Sequence, residues 1–72
     1  MILSINMKVN GKILNLDELK SNALLDLIQF YKLNPSGIAI ELNGEILNRD
    51  NWDSLNLQNE DSIELIKFVG GG

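Results

Sequence analysis

At 72 residues the chain has room for one domain and a small core, and a chain of this size buries only about 60% of the surface its unfolded form exposes. It contains no cysteine and no histidine, which removes disulfides, thiolate nucleophiles, cysteine-ligated zinc and the commonest general base. Ten acidic residues against six basic ones leave a formal net charge of −4, a balance opposed to binding a phosphate backbone and suited to a partner with a basic docking face.

Apolar residues form 44% of the chain and are spread along it, as in a folded globule rather than a disordered segment. No run approaches the roughly 18 apolar residues of a membrane span. The opening stretch "MILSINMKVNG" alternates with polar residues and lacks the basic start and continuous apolar region of a signal peptide. The expectation is a cytoplasmic protein that binds neither membrane nor nucleic acid.

The first predicted element is a strand. Leu3, Ile5, Met7 and Val9 alternate with Ser4, Asn6 and Lys8, and period two marks a strand with one buried face. Asn10-Gly11 is a hairpin-turn signal, because both residues tolerate positive φ, and Lys12 to Leu16 reads as the returning strand. The period then changes. Leu24, Leu27, Ile28 and Tyr31 share one face of a helix, widened by Leu25 and Phe30, with Ser21 or Asn22 as the expected N-cap. Asn34-Pro35-Ser36-Gly37 ends the helix.

Ile38, Ile40 and Leu42 alternate again as a third strand. Asn43-Gly44 makes a second turn, and Glu45 to Leu47 a short return strand. Asp50 is the expected cap of a single helical turn carrying Trp52 and Leu55; a lone Trp of this kind is expected in the core. Gln58 to Asp61 reads as a turn, and Ser62 to Val69 as the last strand. In that strand Ile63, Leu65, Lys67 and Val69 share one face, while Glu64, Ile66 and Phe68 share the other. If Ile63 and Leu65 face the helix, Ile66 and Phe68 lie on the open side of the sheet as a docking patch. Two hairpins, one helix and a final strand make an α+β fold with the helix packed across one face of a small sheet.

The chemistry left to such a chain is narrow. Its serines have no histidine partner, its paired carboxylates lack the spacing of a calcium loop, and Gly70 to Gly72 precede no helix that would hold a phosphate. The unusual feature is "KFVGGG". Glycines without side chains enter a narrow channel and adopt backbone angles closed to other residues; three or four extended residues reach roughly 10–13 Å. A carboxylate at Gly72 becomes an electrophile once a partner converts it to an acyl phosphate or acyl adenylate. The expected division is a domain over residues 1–69 and a flexible glycine tail over residues 70–72.

Four stretches, "MKVNGK", "AIELNGEIL", "NRDNW" and "DSIELIKFVGGG", occur in an order that resembles the ThiS family of sulfur carriers in thiamine biosynthesis. The resemblance implies a ubiquitin-like β-grasp fold, a mixed sheet of four to five strands with one main helix on one face. It implies a carrier rather than an enzyme. Gly72 would be adenylated by an E1-like, ThiF-type adenylyltransferase that uses ATP and Mg, then converted to a thiocarboxylate that donates sulfur to a ThiG-type thiazole synthase. Gly70 and Gly71 would complete the tail motif, with Ile66, Phe68 and Val69 docking the partners and no cofactor held by this chain. A sulfur carrier of the molybdopterin synthase small-subunit type, a ubiquitin-like modifier and a plain β-grasp binding module are the alternatives. Two departures stand out. The family's Asp-Gly-Asp turn is here Asn59-Glu60-Asp61, with Asn59 expected at positive φ, and the first strand begins before the usual start near Met7.

Overall fold

A computed structural model describes residues 6–68 of the chain. Strand β1, Asn6–Val9, turns at Asn10 (φ 51°) and Gly11 (φ 83°) into β2, Lys12–Asn15. Positive φ at both turn residues gives the type I′ geometry whose twist matches an antiparallel pair, and Val9 duly faces Lys12 across the hairpin. The second hairpin repeats the device: β3, Ile38–Leu42, turns at Asn43 (φ 50°) and Gly44 (φ 91°) into β4, Glu45–Ile46. Strand β5, Ser62–Lys67, comes last.

The sheet order is β2-β1-β5-β3-β4. Its centre is parallel, with Lys8 opposite Ser62 and Val9 opposite Ile63; the other pairs are antiparallel. A parallel pair needs a crossover, and the helix α1, Leu24–Phe30, lies in the stretch between the two hairpins. One sheet face is buried through Met7 and Val9, Leu14, Ile38 and Ile40, and Ile63 and Leu65. Leu24, Leu27 and Ile28 of α1 pack into the same cluster, joined by Leu16, Leu19, Trp52 and Leu57. Among the described residues no polar or charged side chain is buried.

Short turns link these elements under a shared rule. Asn15, Asn34 and Asn48 each precede a 3-10 turn, and each side-chain oxygen accepts the N–H two residues on, from Asp17, Ser36 and Asp50. An amide at that position satisfies a donor the turn leaves free.

Several expectations are corrected. Asn48, not Asp50, caps the turn at Arg49–Asn51, because its oxygen already reaches the Asp50 N–H. The N-cap of α1 is Ala23 and makes no side-chain cap bond. Ser21 Oγ instead accepts from Ala23 N–H and bonds Asp26, while Asn22 Nδ2 donates to the Leu57 carbonyl. Tyr31 lies past the helix end and is exposed, as are Leu25 and Phe30, so the buried stripe is narrower than the sequence suggests. Positive φ in the 58–61 turn falls on Glu60 (70°) rather than Asn59; Asn59 uses its side chain to accept from Asn6 N–H at 3.0 Å. The expected start of the first strand at Leu3 lies outside the described residues.

Candidate functional site

Of the site residues expected from the sequence, Ile66 and Phe68 lie at the end of β5. Cross-strand partners share a sheet face, and the pairs Ala39 with Ile66 and Glu41 with Glu64 lie on the face opposite the core. There Ile66 is 40% exposed, and Phe68, one step along the same parity, is 59% exposed. Phe68 N–H donates to the Gly37 carbonyl at 3.0 Å, so pairing with β3 holds the chain through Phe68. Val69, Gly70, Gly71 and Gly72, the carrier and tail residues of the sequence reading, lie outside the described residues.

Beside this apolar pair two carboxylates stand opposite each other, Glu41 on β3 and Glu64 on β5. Like charges directly opposite in a sheet are destabilising. Ile46 on β4 and Ile13 on β2 add two exposed apolar side chains farther out. Periodicity placed Glu64, Ile66 and Phe68 on the open side. It held no signal that Glu41 and Glu64 are neighbours, because parity names a face and not a register.

Trp52 is buried, as expected for a core residue. Arg49 covers it, with its guanidinium carbon 4.6 Å from the ring centroid. The same guanidinium donates to the carbonyls of Pro35 and Ile38, each at 2.7 Å. Arg49 therefore pins the start of β3 to the turn after β4, a role the sequence did not reveal. Partial desolvation, followed by the charge of Glu18, pushes the largely exposed Tyr31 hydroxyl above its ordinary pKa. Among the described residues no three carboxylates converge as a metal site, and no helix is long and apolar enough to cross a membrane.

A five-stranded mixed sheet with first and last strands parallel at its centre, and one helix against one face, is the β-grasp architecture, and it leaves Ile66 and Phe68 exposed at the end of β5. The ThiS family model matches residues 7–72, and the chain belongs to that family. The sulfur carrier protein ThiS of Bacillus subtilis is 30% identical over 66 residues, spanning 92% of this chain and 98% of that protein. A protein designated ycf40 in Porphyra purpurea is 33% identical over 69 residues, 96% of this chain and 94% of its own length. The crystal structure of the thiamine biosynthesis protein ThiS from Geobacter metallireducens superposes with a TM-score of 0.77 at 33% identity, covering 94% of this chain and all of that one.

Proposed function

We propose that this chain carries sulfur as a thiocarboxylate on Gly72 and donates it to thiazole formation in thiamine biosynthesis. The observation that carries the reading is the ThiS family match, which runs through Gly72, together with the Bacillus subtilis relative named as a sulfur carrier. The Gly72 carboxylate attacks the α-phosphorus of ATP and releases pyrophosphate. Sulfide supplied by a donor then attacks the acyl adenylate and expels AMP, leaving a thiocarboxylate on the glycine. Both steps belong to a ThiF-type adenylyltransferase using ATP and Mg, and a ThiG-type thiazole synthase receives the sulfur. The chain is a carrier, not an enzyme, and its setting is cytoplasmic.

Ile66 and Phe68 suit the docking role because they stand exposed just before the tail, with Val69 next in line. The acidic pair Glu41 and Glu64 suits a basic patch on an ATP-using partner.

Incubation of the full chain with the activating enzyme, ATP, Mg and a sulfur donor tests the reading by intact mass. The expected product has one oxygen replaced by one sulfur at Gly72, and thiazole synthase consumes it. A chain that forms a lysine conjugate is a modifier. A chain that gains no sulfur with a ThiF-type enzyme but does so with the molybdopterin-pathway enzyme serves the other carrier role.

A further inference from the structure

Strand β5 outruns its parallel neighbour. The register between β1 and β5 ends at Val9 opposite Ile63, whereas β5 continues to Lys67. Even-numbered residues of this stretch bond toward β3: Phe68 N–H donates to Gly37, and the Ser62 carbonyl accepts from Asn43. Odd-numbered residues turn their backbone groups the other way, and the Asp61 and Ile63 carbonyls accept from Lys8 and Asn10. Where β1 turns off, Asn10 Oδ1 stands in for a strand carbonyl and accepts the Leu65 N–H at 2.8 Å. Past that point no described residue of the hairpin pairs with β5. Leu65 and Lys67 line an open groove of ≈ 570 Å³.

The groove has an apolar floor of Val9, Leu33 and Leu65, with Tyr31 at its side and Lys12 and Lys67 among its walls; no carboxylate lines it. Lys67 also borders a second depression lined by Lys32 and Phe68, again without a carboxylate. Three of the chain's six basic residues thus collect around the end of β5 in a molecule of net charge −4. Glu18 acts through its charge on Tyr31 at the side of the groove, though it does not line it. An unpaired edge takes an added strand through main-chain bonds, and flanking side chains select its sequence.

We propose that the β1-side edge of β5 at Leu65–Lys67 is a strand-addition site for an extended acidic segment of a partner protein. An apolar side chain of that segment rests on Val9, Leu33 and Leu65, and carboxylates on either side of it meet Lys12 and Lys67. The Asn10 amide sets where pairing begins, because it already occupies the Leu65 N–H. The site is the backbone edge of β5 rather than the exposed face that carries Ile66, is opposite in charge to the Glu41 and Glu64 face, and does not depend on the carrier reading.

The test is a nuclear magnetic resonance titration of the nitrogen-labelled full chain with a synthetic peptide, Asp-Val-Ile-Val-Glu, and with its counterpart carrying lysine at both ends. The acidic peptide is expected to move the amides of Asn10, Leu65 and Lys67 and to slow exchange of the Lys67 amide at least about tenfold. The lysine-ended peptide is expected to bind at least about tenfold more weakly. Lys67→Pro removes an N–H that β3 does not use and should abolish binding, whereas Lys67→Gln keeps that N–H and should only weaken it. If Lys67→Pro does not fold, the comparison of the two peptides on the native chain still decides. Shifts centred on Ile66 and Ile46, equal binding of both peptides, or no saturable shift at millimolar peptide would each overturn the proposal.

Discussion

Asn10 does two things that different substitutions separate. Its backbone takes a φ of 51°, and its side chain accepts the half-buried Leu65 N–H. Asn10→Gly keeps the turn and loses the acceptor, so it should cost about 1 kcal/mol. Asn10→Ala loses both, and left-handed backbone adds about 1–2 kcal/mol more. Urea unfolding midpoints check this; equal midpoints for the two variants would show that the turn conformation adds nothing. Arg49 is a similar case. Arg49→Lys places one ammonium where a planar fork reaches the Pro35 and Ile38 carbonyls and covers Trp52. The expected loss is about 1–2 kcal/mol in the same unfolding experiment. The Asn-Gly turn at residues 10–11 was legible because a dipeptide carries it. The bond to Leu65 was not, since its partner lies 55 residues away.

At the scale of elements, β5 matters most. Alternation along Ser62 to Phe68 correctly divided the core residues Ile63 and Leu65 from the exposed Ile66 and Phe68. Phe68→Asp should weaken binding to the activating enzyme by at least about tenfold, through loss of an exposed apolar anchor, while melting near the native temperature. Unchanged affinity in a normally melting variant would remove Phe68 from the docking face. The helix was less legible. Leu24, Leu27 and Ile28 carry its buried face as the period indicates, but α1 stops at Phe30 and leaves Tyr31 outside. Its start is also set from elsewhere. Leu24 N–H donates to the Leu55 carbonyl and Leu57 N–H to the Asn22 carbonyl, so the chain from 55 to 57 satisfies the first N–H of the helix and ties down the residue before its cap.

For the whole molecule, the core is small and each of its members counts. Leu27 is fully buried in the core cluster, and Leu27→Ala should cost about 2–5 kcal/mol. That is a large share of the stability of a small domain, visible as a lowered thermal midpoint. Deleting Gly71 and Gly72 should have the contrary profile. Glycines bring no side chain to the core, so the melting temperature should hold, while sulfur transfer to thiazole synthase is abolished. Thiazole formed by the shortened chain would end the carrier reading, and a lowered midpoint would show that the glycines contribute to the fold.

By itself the sequence determined the alternation of the strands, both Asn-Gly hairpins, the helical positions Leu24, Leu27 and Ile28, the burial of Trp52 and the family motif. All of these are written in spacings of a few residues, where hydrophobic period and backbone preference act locally. The tertiary structure alone decided that Glu41 faces Glu64, that Arg49 holds the start of β3, and that Asn10 ends the pairing of β1 with β5. These depend on which residues meet after long loops close. A period of two tells a side chain which face of the sheet to take, but not which neighbour it finds there.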